Sequence, residues 1–371
     1  MPSRVTEVEL LRESLIALRA ENRDMRVRLQ GAERIALTEK AVQERILQLA
    51  DAERERPRAP EWLVPRSPPI HGPGVPTLFA SDWHWGEVVT RAQIGGVNSF
   101  NLKIARERVK RLAANTIDLL KNHMVCPEYP GLVLALGGDM VTGDIHEELT
   151  ATNEMEIMPV VLDLLDHVEG LIVTLKAAFG RLFIPCVTGN HGRTTKKIRF
   201  KGRAFTNYDW LVYQFLRRRF RDDPDIVFLV PSGMDAYYRI YNHRYLLNHG
   251  DLLGGGGDGI IGALGPILRG DTKKRARNGQ INMAYDTMLV GHWHQYLPLG
   301  RVIVNGALKG YDEFASGLSL PFEEPKQALF LTHPDRGITF HCPVFLEPKR
   351  KQVARDWVAF TDADAPVKEA V

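Results

Sequence analysis

The chain is poor in cysteine, has no long apolar run and carries little net charge, and each scarcity removes a class of protein. Its three cysteines, Cys126, Cys186 and Cys342, show no CxxC spacing and are odd in number. That excludes a disulfide framework and a thiolate zinc knuckle, and it reads as a reduced, intracellular chain. No stretch approaches the roughly 20 apolar residues of a membrane span, and the opening "MPSRVTEVELLRESL" is charged throughout, where a secretory leader would be apolar. The expectation is a cytoplasmic protein with no membrane partner. With 48 basic and 45 acidic side chains the formal charge is only +3, so nucleic acid can be inferred only from local clusters.

Glycine and proline are almost missing from residues 1–56, which are rich in Ala, Glu, Arg and Leu, the composition of a long helix. A heptad can be written with Val8, Leu15, Asn22, Leu29 and Ala36 at a, and Leu11, Leu18, Met25 and Ala32 at d. It decays where Glu39 and Gln43 reach the seam, and Gly31 weakens its middle. An asparagine at one a position favours a two-stranded coil in fixed register, so 1–56 is read as a coiled-coil arm that forms a homodimer or recruits a partner. A single amphipathic helix lying on its own domain or on another protein is the alternative. Seven prolines then fall within residues 56–76, so 57–76 is read as a stiff extended linker.

From residue 77 to 346 short apolar runs alternate with helical patterns. "TLFA", "LVLALG", "LFIPCVTG" and "IVFLV" are separated by helices expected near 102–122, 155–178 and 206–221. Later segments, from "AYYRIYNHRYLLNHGD" to "ITFHCPVF", read as successive strands with turns between them. This is an α/β chain with mixed sheets and outer helices, followed by a polar tail at 347–371.

Five motifs at the ends of apolar runs are built from metal-ligand side chains: "SDWH" (Asp82, His84), "LGGDM" (Asp139), "VTGNHG" (Asn190, His191), "LLNHGD" (His249) and "VGHWH" (His292, His294). A lone histidine at a strand end is usually held by a backbone carbonyl. Here that bland explanation has to apply to every motif at once, and each sits where open α/β sheets collect their sites.

In this order the motifs resemble the calcineurin-like metallophosphoesterase superfamily, with its DxH, GD, GNH, lone H and GHxH pattern, over residues 77–310. The resemblance implies a four-layer sandwich, two mixed sheets flanked by helices, with two metal ions between the sheet ends. Asp82, His84 and His294 would hold one ion and Asn190, His249 and His292 the other, with Asp139 as the bridge. His191 would be the histidine that contacts the phosphate and assists the leaving group, a role suited to its protonated form. Two divalent ions about 3.5–4 Å apart can clamp a phosphate and activate a water. Nitrogen and oxygen ligands without thiolate suit Mn, Fe or Zn without choosing among them, and Mn is the ion expected, with Fe or Zn as alternatives.

Departures from the pattern narrow the substrate. Protein phosphatases of this superfamily resemble GDxVDRG, whereas Thr142 and Gly143 hold the positions of that acid and arginine. In character the chain is closest to the DNA-repair nucleases, although the histidine expected near the third position is absent and Asp144 and His146 lie out of register. The acid usual after GNH is Gly192.

Two basic clusters flank the ligands: Arg193, Lys196, Lys197, Arg199, Lys201 and Arg203, and then Lys273, Lys274, Arg275 and Arg277. Each could be a solvated charged face. Both in loops beside ligands would make a polyanion track, with Phe200 and Tyr208 available either to stack on bases or to serve as core residues. A literal GxGxxG at Gly257, Gly259 and Gly262 lacks a surrounding βαβ unit and is not read as a dinucleotide site. The expected function is two-metal hydrolysis of phosphodiesters, most simply by a DNA nuclease. The alternatives are a phosphoesterase for small or protein substrates and an inactive binding scaffold on the same fold.

Overall fold

The structure, a computed structural model, describes residues 11–15, 17–31, 74–124, 127–253 and 264–348. The expected arm beyond residue 31, most of the proline linker, the glycine run at 254–263 and the tail from 349 lie outside these residues. The chain divides into two units on either side of residue 58. In the first, the described residues are helical and exposed, and Arg28 pairs with Asp24 one turn earlier at 2.9 Å. Leu11, Leu15, Leu18, Met25 and Leu29 of the heptad are among the exposed residues.

The second unit contains two sheets. One has the strand order β11-β10-β1-β2-β3-β4, formed by β1 (Val75–Ala80), β2 (Leu132–Leu136), β3 (Leu182–Pro185), β4 (Ile226–Leu229), β10 (Lys326–His333) and β11 (Gly337–Phe345). Strands β1 to β4 are parallel, and β10 and β11 are antiparallel additions. The other has the order β5-β6-β7-β9-β8, formed by β5 (Asp235–Ile240), β6 (His243–Asn248), β7 (Thr287–Val290), β8 (Leu297–Leu299) and β9 (Val302–Val304). There β6, β7 and β9 are parallel, between antiparallel edges.

Alternation along the strands sets the layers. In β2, Leu132, Leu134 and Leu136 face helices α1 (Leu102–Asn122), α2 (Ile157–Phe179) and α3 (Tyr208–Arg219). Val133 and Ala135 face the second sheet through Tyr238, Leu247, Leu289 and Ile303. The far side of the second sheet packs Leu246, Met288 and Val290 on Ile267 of helix α4 (Leu264–Gln280). The result is helices, sheet, sheet and helix.

Helix α1 follows its sequence closely: Leu102, Ala105, Val109, Leu112 and Leu120 repeat on one buried face, and the Asn101 side chain caps its start by accepting from the Ile104 amide. Helix α2 stops at Gly180, whose φ of 78° is easy for glycine.

Two boundaries differ from the sequence reading. Strand β1 begins at Val75, inside the expected linker, because Pro76 lies against β10 before pairing to β2 begins at Thr77, so its missing amide is tolerated. Residues 273–277 form no loop but the middle of α4, where Asp271 and Arg275 pair across one helical turn at 2.7 Å.

Candidate metal centre

The five motif loops leave the carboxyl ends of parallel strands and meet between the two sheets. Asp82 and His84 follow β1, Asp139 follows β2, Asn190 and His191 follow β3, His249 follows β6, and His292 and His294 follow β7. Eight non-glycine residues have positive φ among the described residues, and five are Asp82 (55°), His84 (47°), Asp139 (50°), His292 (68°) and His294 (54°). Such backbone costs on the order of 1–3 kcal/mol per residue and persists where surrounding structure enforces it, typically at sites. The motif glycines have a matching reason. A Cβ on Gly189 would lie 2.0 Å from Asp139 Oδ1, and one on Gly291 would lie 2.4 Å from Asp82 Oδ2.

The donor atoms fall into adjacent groups. Asp82, His84 and His294 form one trio and Asp139, His249 and His292 another, while Asp139 also groups with His84 and His191; in each group one atom per residue lies within 4.8 Å of the others. Asn190 Oδ1 joins the second trio, 3.1 Å from His249 Nε2. All seven residues expected as ligands therefore meet at one place.

The donor set suits a cation. His249 Nδ1 donates to the Gly137 carbonyl at 2.9 Å, so the neutral ring presents a lone pair at Nε2. That lone pair faces Asp139 Oδ2 at 3.0 Å and Asn190 Oδ1 at 3.1 Å, and neither oxygen can donate. Asp139 Oδ2 is buried without a hydrogen-bond partner. Across the site, His84 Nε2 faces His294 Nε2 at 3.1 Å, with Asp82 Oδ1 at 3.5 Å from the latter. Converging lone pairs in a buried site are unstable unless a proton or metal ion sits among them.

Burial opposes a charge on His249, but the Asp139 carboxylate overrides burial and pushes its pKa up to about 10. Burial, then the Lys309 and His191 charges, press His84 down to about 3, and burial followed by His249 presses His292 down to about 4. Those two imidazoles are therefore neutral, the form that binds metal. The mixed N and O donors fit divalent Mn, Fe or Zn.

Supporting side chains that single motifs did not reveal surround the ligands. Glu87 Oε2 lies 3.2 Å from His84 Nδ1 and orients that ring. Glu87 is held in turn by buried Lys309 at 2.8 and 3.1 Å, which also pairs with Asp312 at 2.6 Å. The Ser81 hydroxyl donates to Asp82 Oδ2 at 2.5 Å, and the His292 amide donates to Asp82 Oδ1 at 2.8 Å. Glu87 is adjacent in "DWHWGE"; Lys309 and Asp312 carry no signal a sequence reader would catch.

His191 stands at the edge of the centre. Its amide donates to Asp139 Oδ1 at 2.7 Å and its Nδ1 to the Thr142 carbonyl at 3.0 Å. The ring lies 4.5 Å from that of His84 and 5.6 Å from that of His146, centroid to centroid. Burial lowers its pKa against the pull of Asp139. A backbone carbonyl takes the place of the carboxylate absent at Gly192.

The basic clusters divide. Lys196, Lys197, Arg199, Lys201, Lys273 and Arg277 are exposed, and Phe200 beside them is 72% exposed. Arg203 is turned inward, 2.7 Å from buried Asp251, and Arg193 donates to the carbonyls of Asn190, Thr195 and Lys196 in its own loop. In the second cluster Lys274 pairs with Asp235 at 2.9 Å, while Arg275 pairs with Asp271, stacks on Tyr285 and donates to three carbonyls. Arg193, Arg203, Lys274 and Arg275 are therefore taken by internal carboxylates and carbonyls, and of the exposed residues Arg277 also lies 3.5 Å from Asp235 and Lys196 3.8 Å from Glu147. Tyr208, expected as a stacking candidate, packs half-buried on the core.

No family model and no curated protein matches the chain. Among solved structures it is similar to Vacuolar Protein Sorting 29 from Cryptosporidium parvum, with a TM-score of 0.29 and 14% identity over 70% of this chain and 86% of that one. It is also similar to a predicted phosphoesterase from Streptococcus pneumoniae (TM-score 0.27, 9% identity, 73% and 98% covered). A third is a putative 5'-nucleotidase from Staphylococcus aureus in complex with alpha-ketoglutarate (TM-score 0.32, 12% identity, 78% and 56% covered). Likenesses at these scores decide neither fold nor activity, which rest on the strand order and side chains described above.

Proposed function

We propose that the chain is a two-metal phosphodiesterase of the calcineurin-like metallophosphoesterase type, acting on nucleic acid and most simply on DNA. The observation that carries the metal reading is the convergence of His249 Nε2, Asp139 Oδ2 and Asn190 Oδ1 on one buried point, beside a second trio built from Asp82, His84 and His294. The ordered motifs supply the resemblance to the family. Two divalent ions held there would clamp a phosphate and activate water for attack on phosphorus. Neutral imidazoles and the Asn190 amide ligate without adding negative charge, which keeps the site attractive to an anion.

His191 has Nδ1 fixed on Thr142, which leaves Nε2 to meet a phosphate oxygen. An anionic phosphate beside it raises its proton affinity, and the protonated ring then donates to the departing oxygen. The diester preference rests on Gly143. It stands where the protein phosphatases of the family place an arginine, its φ is 68°, and a Cβ there would lie 2.0 Å from the His191 carbonyl oxygen. No arginine fits.

The exposed set Lys196, Lys197, Arg199 and Lys201, with Phe200 among them, follows His191 in the chain and supports a polynucleotide substrate. The heptad on the N-terminal helix supports a homodimer formed by that arm. One assay tests the reading: Mn-dependent cleavage of labelled single- and double-stranded DNA and RNA, beside a small chromogenic diester and a monoester. Cleavage of the monoester alone would overturn the diester assignment, and turnover of none of them with metal bound would favour the scaffold.

A further inference from the structure

Asp209 lies in the first turn of α3, 70 residues from Asp139 in sequence and fully buried against it. Its carboxylate accepts three backbone amides: from Asp139 at 3.0 Å, from Met140 at 3.2 Å and from Gly189 at 2.9 Å. The first two belong to the loop that presents Asp139, and the third to the loop that presents Asn190 and His191. One side chain therefore ties together two ligand loops that leave different strands. The tie meets Asp139 at a residue held at a φ of 50°, a conformation aspartate does not keep without support.

Asp209 is itself fixed. Its amide donates to Asn207 Oδ1 at 2.8 Å, and Asn207 Nδ2 donates to the Gly189 carbonyl at 2.9 Å. A Cβ at Gly192 would point into this pair, 2.6 Å from Asn207 Oδ1 and 3.0 Å from Asp209 Oδ1. The space beside the histidine motif that an acid at position 192 would use is already filled by a carboxylate from α3.

We propose that Asp209 is a positioning residue of the metal centre, which fixes the Asp139 and Asn190 loops at the separation two ions require and occupies the space of the acid missing at Gly192. The proposal rests on the metal reading above. Asp209 touches no ligand side chain through its carboxylate. It acts through the backbone of Asp139, so its effect falls on metal affinity. Outer partners of metal ligands typically contribute 10- to 100-fold in affinity.

The test is Mn2+ titration of the full chain, followed by calorimetry and by the EPR signal of free Mn2+, for wild type, Asp209→Asn and a core control, Leu164→Ala. Leu164 is buried on α2 in the helix layer, so its truncation lowers stability while leaving every ligand and every hydrogen bond of Asp209 in place. The expected result is two Mn2+ per wild-type chain, at least about tenfold weaker binding of one ion in a folded Asp209→Asn protein, and unchanged affinity in the control. Equal affinity in wild type and Asp209→Asn, or an equal loss in the control, would overturn the proposal while leaving the metal site standing. Absence of Mn2+ binding by wild type would instead overturn the metal reading itself. If Asp209→Asn does not fold, Asn207→Ala decides, because it removes the contact that orients Asp209 and leaves the carboxylate: several-fold weaker binding supports the proposal and unchanged binding overturns it.

Discussion

Asp139 and His191 sit side by side yet should fail in different ways. Asp139 lies among candidate ligand atoms on both sides, with its buried Oδ2 3.0 Å from His249 Nε2. Asp139→Ala should abolish hydrolysis and lower bound metal from two ions to one or none, because nothing then neutralises the repulsion between two cations. His191 gives its side-chain Nδ1 to Thr142, and only its amide reaches Asp139. His191→Ala should keep both metals and lose about 10²- to 10⁴-fold in rate, the scale of one general acid or base. Metal analysis beside single-turnover kinetics separates the two, and a metal-depleted His191→Ala protein would show that this ring is a ligand.

Among elements, the loop at 193–203 and helix α4 both looked basic in sequence but have different roles in the fold. Reversing Lys196, Lys197, Arg199 and Lys201 to glutamate should weaken polynucleotide binding and flatten its salt dependence, by roughly 0.7–0.9 in log–log slope per lost phosphate contact. Turnover of a small diester should hardly change. Arg275→Glu should instead lower the melting temperature, because it places a carboxylate beside Asp271 and the carbonyls of Tyr285, Asp286 and Arg301. Equal salt slopes in wild type and the loop variant would remove the polyanion track.

At the start of β6, His243 Nε2 meets the Thr287 hydroxyl at 2.8 Å, and burial lowers its pKa. Since the fold resists protonating this ring, its contribution to stability is present above about pH 6.5 and is lost as pH falls through the lowered value. In chelator, wild type should lose more melting temperature than His243→Gln between pH 8 and pH 5.5. What could be read from sequence follows from the same distinction. Strand alternation and ligands at strand ends are local patterns, and they follow one another along the chain in order. Which basic side chains turn inward depends on carboxylates such as Asp251 for Arg203 and Asp235 for Lys274, 48 and 39 residues away. Asp209 was invisible for the same reason, since its three amides belong to loops 20 to 70 residues earlier.

At the scale of the whole chain, the question is why an exposed helix precedes the proline-rich segment. Leu11, Leu15, Leu18, Met25 and Leu29 occupy the seam of a heptad and are all exposed, the apolar stripe through which a two-stranded coil would pair. Asn22 falls at an a position of the same seam, where its amide can pair with that of a second copy and fix a two-stranded register. Every candidate ligand lies beyond residue 76, so the arm and the metal centre should separate cleanly. Deleting residues 1–56 should turn a dimer into a monomer by light scattering and leave hydrolysis of a small diester nearly unchanged. Polynucleotide affinity should fall more than that turnover, because two linked basic loops bind one strand with an effective concentration a monomer lacks. Asn22→Leu should tighten the coil while broadening its oligomeric states, which sedimentation velocity would resolve. A dimer mass that survives the deletion would assign the interface to the α/β unit and leave the exposed stripe to a different partner.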